Sequence, residues 1–438
     1  MPYGDEIDRR EQRRKRRHRN QAIAYLALFL LIALVVAGVV TGVKTYTEYQ
    51  KASKEQEEAY QSQYQEILQS EEPIEMVQTT ETVPEPTPEE KLDQLVDAQI
   101  ESMPLEDKVA GLFVVTPESI TGVTTAVQAG DGTKAALEKY AVGGIVYFRK
   151  NIQSKDQLMK MIDNTELYSR YPLFIAIDEE GGSVSRIADS GIADRMDSAQ
   201  KIGQTQNTDS AYQAGSTIGA YLAQLGFNLD FAPVADLANV EDSVMEGRAY
   251  GADAATVSAY VTSMMQGLNE QKVISCLKHF PGLGSTTQDT HDGIAVSNRT
   301  AEEFRDNEFA VFRAGIDAGA DMIMVGHMAA PSLVGDNTPS CMSSVIVTDI
   351  LRDELGFEGV VITDAMNMSA ISEYYEADQA VITALKAGCD MILMPDNFEQ
   401  AYNGVLQAVK DGVISEERVN DSLKRIYRIK FADKVESG

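Results

Sequence analysis

Asp289 and His291 lie two residues apart in the segment KHFPGLGSTTQDTHDG, residues 278–293. A carboxylate next to an imidazole orients the ring and raises its pKa, so the pair can donate a proton near neutral pH. Gly282 and Gly284 precede the pair and give the loop freedom to move. We therefore expect this segment to supply a proton donor, although a surface loop with an incidental Asp and His has the same composition.

Further polar residues come at the ends of short apolar runs. They are Asp178, Lys278, His279, His327 and Asp364. Because the carboxyl ends of parallel strands meet on one face of a sheet, these side chains are expected to share one rim. Taken singly, a strand-end Asp or His more commonly caps a helix or ends a hydrogen-bond ladder. Their recurrence at several strand ends favours a functional site.

Eight short apolar runs after residue 90 predict the strands that position these residues. The runs span 109–115, 143–148, 173–178, 227–232, 273–280, 321–326, 359–364 and 390–395. Segments with helical spacing separate them, and two begin with capping boxes, Ser154 with Gln157 and Thr300 with Glu303. Apolar strands that alternate with helices are typical of parallel sheets. We predict an α/β fold, a single TIM-type (β/α)8 barrel over residues 91–438.

The N-terminal part of the chain predicts a membrane anchor. Residues 21–43 contain no charged side chain and are long enough to cross a bilayer as one helix. Basic residues crowd the preceding tail, residues 1–20, which predicts a cytoplasmic N terminus and an extracytoplasmic barrel. A cleaved signal peptide has the same charge order but a shorter apolar core. Residues 44–90, rich in Glu, Gln, Ser and Pro, predict a disordered stalk.

The composition argues against several classes of partner. The chain has 67 acidic and 38 basic residues, a net charge of −29, which disfavours nucleic acid. The three cysteines, Cys276, Cys341 and Cys389, lack CxxC spacing, so we expect neither a disulfide framework nor a thiolate metal site. No HxH or HExxH motif occurs. We expect no metal, no cofactor and a monomer.

Three segments resemble the signature sequences of glycoside hydrolase family 3. They are IDEEGGSVSR (177–186), KHFPGLG with DTH (278–291) and VITDAMNM (361–368). They are most similar to the β-N-acetylglucosaminidase, or NagZ-like, branch, and weaker similarity extends over most of residues 105–400. The resemblance implies a retaining β-N-acetylhexosaminidase that acts on N-acetylglucosamine glycans. The predicted outward topology and stalk favour peptidoglycan fragments or related glycans of the cell surface as its substrates.

The resemblance also implies a role for each matching residue. Asp364 is expected to be the nucleophile, and His291, oriented by Asp289, the general acid and base. The residues expected to bind the sugar are Asp178, Arg248, Lys278, His279 and His327. Leu283 and Ala365 depart from the family pattern, which leaves the substrate preference open.

Two other functions fit the same pattern of residues. Histidines and aspartates at one rim can ring a divalent ion, as in metal-dependent barrel hydrolases, although Lys278 beside His279 would repel a cation. A barrel can also lose turnover and remain a carbohydrate-binding protein of the cell wall. Glu180 and Asp236 are interpreted as structural hydrogen-bonding residues rather than catalysts.

Overall fold

The computed structural model describes residues 86–290 and 293–435. The helices in these ranges are α1 Pro88–Ser102, α2 Leu105–Ala110, α3 Pro117–Thr121, α4 Asp131–Lys139, α5 Lys155–Tyr168, α6 Arg186–Asp189, α7 Ala199–Gly203, α8 Asp209–Leu225, α9 Ala254–Asn269, α10 Ala301–Asp306, α11 Glu308–Asp317, α12 Pro331–Val334, α13 Ser369–Ser372, α14 Ala377–Ala387, α15 Phe398–Lys410 and α16 Glu416–Val435. A π-helix spans Val345–Glu354. Short 3-10 turns cover Arg149–Asn151, Leu283–Ser285 and Ser340–Met342.

The described residues form ten strands, and eight of them run parallel in one sheet. The strands are β1 Phe113–Val115, β2 Gly144–Val146, β3 Phe174–Ile177, β4 Glu179–Gly181, β5 Val184–Ser185, β6 Leu229–Asp230, β7 Ile274–Phe280, β8 Met322–Val325, β9 Val360–Thr363 and β10 Ile392–Leu393. The sheet order is β10-β1-β2-β3-β6-β7-β8-β9. A parallel bridge between Ile362 and Met391 joins β9 to the residues that lead into β10. Each predicted run contains one of these strands, so the predicted α/β fold is confirmed, and its parallel sheet fits a TIM-type barrel.

The hairpin β4–β5 is an element that the apolar pattern does not predict. It follows β3 directly, pairs Glu179 with Ser185 in antiparallel register and forms its own small sheet. Gly181 and Gly182 make the turn with φ values of 86° and 58°, a region that glycine enters without strain. A Cβ on Gly182 would lie 2.7 Å from Ser198 Cβ, so the turn packs tightly. The hairpin places Glu180 next to the end of β3.

The prediction of a stalk that ends at residue 90 is wrong in its last residues. The helix α1 begins at Pro88, because Thr87 and Glu90 form a reciprocal capping box and proline suits the first helical turn. The buried side chains of Val96 and Ile100 then fix α1 to the core. The predicted cytoplasmic tail, the span 21–43 and residues 44–85 of the predicted stalk lie outside the described residues. Within the described residues, no helix is long and apolar enough to cross a membrane.

Candidate active site

The structure brings the predicted strand-end residues to one rim of the barrel. Asp178 directly follows β3, Asp364 directly follows β9, and His327 lies two residues beyond β8. Lys278 and His279 occupy the last part of β7. All five positions therefore lie at the carboxyl ends of parallel strands of one sheet, where barrel enzymes carry their chemistry.

A buried chain of alternating charges connects two of these strand ends. The Lys278 Nζ lies 2.7 Å from Asp178 Oδ1 and 2.7 Å from Glu180 Oε1. Arg248 donates from Nη2 and Nε to the two oxygens of Glu180 at 2.6 and 2.9 Å. Burial alone would raise the pKa of Glu180, but the charges of Lys278 and Arg248 outweigh it and hold that pKa well below its usual range. Arg248, expected at the site from the resemblance alone, thus joins the others through Glu180.

The lysine in this chain is also held in its charged form. Burial would lower the pKa of Lys278, whose side chain is only 3% exposed, but Asp178 and Glu180 raise it above its ordinary value. Asp178, Glu180, Lys278 and Arg248 therefore form a fixed floor to the site, in which each side chain is held by an oppositely charged partner. Such preorganised donors and acceptors are suited to the hydroxyl groups of a sugar.

His279 is oriented by a fully buried carboxylate. Its Nδ1 lies 2.7 Å from Asp236 Oδ2, and its backbone N–H donates to the same oxygen at 3.1 Å. The other oxygen, Oδ1, accepts from the backbone N–H of Gly284 at 3.3 Å. A carboxylate that faces Nδ1 keeps the proton on that nitrogen and fixes the ring. These contacts fit the structural role expected of Asp236.

Asp364 is half-buried at the rim and tied into the turn that it begins. Its backbone N–H donates to Val325 O at 2.9 Å, and its Oδ1 accepts from the Ala365 N–H at 2.7 Å. Burial would raise the pKa of Asp364, but the neighbouring imidazoles of His279 and His327 lower it below its ordinary value. Asp364 is therefore ionised near neutral pH, as an attacking carboxylate must be.

His327 lies behind this turn and is completely buried. Its Nε2 lies 2.9 Å from Ala365 O, which can only accept, so Nε2 donates. In the neutral ring Nδ1 then accepts, and the thiol of Cys341, 3.2 Å away, can donate to it. Burial raises the pKa of Cys341 well above its usual value, which keeps the thiol protonated. These contacts support the turn of Asp364, and sugar binding by His327 stays a prediction.

We expect Cys341→Ala to lower kcat by about fivefold, which corresponds to the loss of one hydrogen bond worth about 1 kcal/mol. KM should change little, because the thiol acts on the His327 tautomer and the Asp364 turn. Cys341→Ser restores a donor and should recover most of the rate. The matched control is Cys276→Ala, which removes another buried thiol. An equal loss in both alanine variants would show that only packing is affected.

The described parts of the loop 281–300 contact the neighbouring loops of the rim on two sides. Thr290 O accepts from the Ala370 N–H at 3.3 Å, so Thr290 contacts the segment that follows Asp364. On the other side, the Ala329 N–H donates to Ala295 O at 2.7 Å. Asp289, which precedes Thr290, is thereby placed at the same rim. His291 lies outside the described residues, so its predicted role as proton donor stays a prediction.

Two buried acids in this region were missing from the sequence prediction. Glu179 is completely buried, and its carboxylate accepts from the Tyr221 hydroxyl at 2.9 Å and the Ile187 N–H at 2.8 Å. Asp230 accepts from the Glu179 N–H at 2.9 Å. Burial raises the pKa of both carboxyls. The sequence signal for Asp230 was an aspartate inside the apolar run FNLDFA. Both acids support the hairpin that carries Glu180.

Residues 87–429 match the family model described as Glycosyl hydrolase family 3 N terminal domain. The chain belongs to glycosyl hydrolase family 3. This match covers all of the strands and the whole candidate site, and it confirms the resemblance of the signature segments.

Named relatives are similar over part of their length. A beta-N-acetylglucosaminidase/beta-glucosidase of Cellulomonas fimi is 33% identical over 269 residues, 59% of this chain and 47% of the relative. A beta-hexosaminidase A of Pseudoalteromonas piscicida is 31% identical over 325 residues, 67% of this chain and 54% of the relative. The chain thus spans about half the length of these relatives.

A solved structure has the same fold. The family 3 beta-N-acetylglucosaminidase from Paenibacillus sp. str. FPU-7 matches with a TM-score of 0.70 and 31% identity. The match covers 77% of this chain and 64% of that chain. The rim described above therefore belongs to a barrel that family 3 members share.

Proposed function

We propose that this family 3 chain is a retaining β-N-acetylhexosaminidase that removes terminal β-linked N-acetylglucosamine. The observation that carries the proposal is the ionised Asp364 at the same rim as the chain of charges that Lys278 joins. A sugar held by those charges would present its anomeric carbon to a carboxylate. The names of the relatives favour N-acetylglucosamine as that sugar.

The first step forms a covalent intermediate. An oxygen of Asp364 attacks the anomeric carbon and forms a glycosyl ester, while the bond from that carbon to the leaving oxygen breaks. His291, oriented by Asp289, transfers its proton to the leaving oxygen, which departs as an alcohol.

The second step returns the enzyme to its starting state. A water molecule attacks the anomeric carbon from the face that the alcohol left, and His291 takes a proton from it. The ester bond breaks and Asp364 becomes a carboxylate again. Two inversions at one carbon leave the product with the β configuration of the substrate.

The charges of the floor position the sugar for both steps. Lys278 and Arg248 can donate to sugar hydroxyls, whereas Asp178 can accept from them. Because their partners already fix these groups, little reorganisation accompanies the reaction. The imidazole of His279, held by Asp236, provides a further directed group.

The cellular setting is part of the proposal. The span 21–43 is proposed to anchor a single-pass protein in the cell membrane, with the N terminus cytoplasmic and the barrel outside. The stalk is proposed to hold a monomeric barrel near the cell wall. Peptidoglycan fragments or related glycans of the cell surface would then be the substrates.

The contacts at the rim argue against a metal-dependent reaction. Asp178 and Glu180 are carboxylates that suit a divalent ion, but the ammonium group of Lys278 lies 2.7 Å from each. Arg248 engages both oxygens of Glu180. A cation there would meet positive charge on two sides. The ionised Asp364 likewise favours an enzyme over a barrel that only binds carbohydrate.

The test compares p-nitrophenyl N-acetyl-β-glucosaminide with p-nitrophenyl β-glucoside, using the full chain. We expect hydrolysis with a clear preference for the N-acetylglucosaminide, and NMR should detect the β anomer first. A first product with the α configuration contradicts the retaining mechanism. Formation of a sugar 1-phosphate in the presence of inorganic phosphate would show phosphorolysis instead, and no cleavage of either substrate would contradict the proposal as a whole.

A further inference from the structure

Glu308 is a buried carboxylate that the proposed mechanism does not use. It is the first residue of α11, and its side chain is completely buried. Its Oε1 lies 2.8 Å from Arg299 Nε and accepts from Asn239 Nδ2 at 3.5 Å. Burial raises the pKa of Glu308 to about 7, against the opposing charge of Arg299. Burying a carboxylate lowers the stability of the fold. The contacts of Glu308 are therefore the place to look for its function.

Both ends of the loop 281–300 lie against the side chain of Glu308. At the start of the loop, Gly282 has a φ of 134°, and a Cβ added there would lie 2.2 Å from Glu308 Cγ. At the end of the loop, Arg299 forms the ion pair with Glu308. One residue of α11 therefore contacts the backbone at one end and the guanidinium at the other.

Further contacts link the two ends of the loop, near Gly282 and Arg299, to the rim. The hydroxyls of Ser285 and Ser297 lie 2.8 Å apart. Ser285 follows Gly282 by three residues, and Ser297 precedes Arg299 by two. The Gly284 N–H donates to Asp236 Oδ1, and Asp236 also holds His279. A displacement of the loop ends at Gly282 and Arg299 can therefore shift the middle of the loop, where Asp289 lies.

We propose that Gly282, Arg299 and Glu308 form a loop clasp that positions Asp289, the residue that orients the proton donor in the proposed mechanism. Glu308 and Arg299 are positioning residues in this proposal, because they act through the loop and not on the substrate. The inference rests on the proposed function as a retaining glycosidase. It goes further in assigning a role to an ion pair outside the site.

The loop clasp should affect one part of the reaction selectively. The loop carries Asp289, whereas Asp364 follows β9, a strand that the residues of the clasp do not belong to. A p-nitrophenolate leaves with little need of a proton, but a p-methoxyphenolate depends on the general acid. A weakened clasp should therefore slow the cleavage of p-methoxyphenyl glycosides more than that of p-nitrophenyl glycosides.

The experiment measures kcat/KM of the full chain for both aryl N-acetyl-β-glucosaminides. Glu308→Gln keeps the shape of the side chain and removes its charge. We expect the loss in kcat/KM to be about tenfold greater for the p-methoxyphenyl substrate, a fraction of what a general acid contributes. Arg299→Met should give the same pattern, and Arg299→Lys, which keeps the charge, should restore part of the rate. His291→Ala removes the proposed general acid, so it shows the largest difference in kcat/KM expected between the two substrates.

The matched control is Glu354→Gln. It breaks the exposed ion pair in which Arg305 contacts Glu354 at 2.6 and 2.9 Å, and it should leave both rates unchanged. Circular dichroism melts establish that each variant is folded. If Glu308→Gln does not fold, the comparison of Arg299→Lys with Arg299→Met carries the same test.

Two results would overturn the inference. One is an equal loss on both substrates, which indicates a general structural role, and the other is no loss on either. A parent enzyme that cleaves neither substrate contradicts the proposed function itself. Failure of the clasp and failure of the function are therefore distinguishable.

Discussion

Asp364→Ala is expected to abolish turnover and leave the barrel folded. The carboxylate is the only group of the proposed mechanism that bonds to the anomeric carbon, so its removal eliminates the covalent route. We expect kcat to fall on the order of 10⁴-fold or more, as for other nucleophile deletions. The measurement is the steady-state rate on p-nitrophenyl N-acetyl-β-glucosaminide.

Folding should survive this change, because Asp364 is half-buried and its backbone bond to Val325 O does not need the side chain. The matched control is Asp321→Asn. Asp321 directly precedes β8 and therefore lies at the opposite, amino end of the barrel. Burial already raises the pKa of Asp321, so a neutral amide should be tolerated there. If Asp364→Ala retained a rate within tenfold of the parent, the assignment of the nucleophile would be wrong.

The pH dependence gives an independent check on Asp364. The pKa of Asp364 is lowered, so the nucleophile stays ionised as the pH falls to the ordinary value for an aspartate. The acid limb of kcat/KM should therefore lie below that value, and the alkaline limb should report the proton donor. An acid limb near pH 6 that moves in Asp364→Glu would contradict the lowered pKa.

The strands could be predicted because each is encoded locally. Runs such as GVVITD and LFIAID are apolar on both faces, which only a covered parallel sheet accommodates. The hairpin β4–β5 could not be predicted in this way, since strands of three and two residues are too short for a periodic pattern. The start of α1 was misjudged because the acidic and proline-rich composition around it outweighed the capping box of Thr87 and Glu90.

The candidate site could be predicted residue by residue but not as a network. A strand-end position is visible in the sequence, and it located Asp178, Lys278 and Asp364 at one rim. The partners of these residues are distant along the chain. Lys278 and Asp178 are 100 residues apart, and Arg248 and Glu180 are 68 apart. No spacing rule connects positions that only the closed sheet brings together.

The support behind the site was the least predictable part. The contact between Cys341 and His327 depends on the 3-10 turn Ser340–Met342, and the loop clasp depends on the first residue of a helix. Each is a single polar side chain in an otherwise apolar setting. From sequence, such residues are indistinguishable from helix caps or packing residues.

Lys278→Met is expected to lower the free energy of unfolding by about 3–5 kcal/mol, as when one partner of a buried ion pair is removed. The substitution preserves much of the volume but leaves Asp178 and Glu180 without their shared cation. The measurement is urea unfolding at pH 8. The control is Lys272→Met, because Lys272 is exposed and its pair with Asp433, at 3.3 Å, should contribute at most about 1 kcal/mol.

The destabilisation by Lys278→Met should depend on pH with a definite sign. In the parent the pKa of Glu180 is lower in the folded state than in the unfolded chain. Ionised Glu180 therefore stabilises the fold at any pH above its pKa in the unfolded chain, and this stabilisation is lost as the pH falls to its pKa in the folded state. Without Lys278, the burial of Glu180 is less opposed, and the pKa of Glu180 should rise. Protonation then relieves the buried charge as the pH falls. The difference in unfolding free energy should therefore shrink between pH 8 and pH 5, and a difference independent of pH would mean that Lys278 stabilises the rim through packing and not through charge.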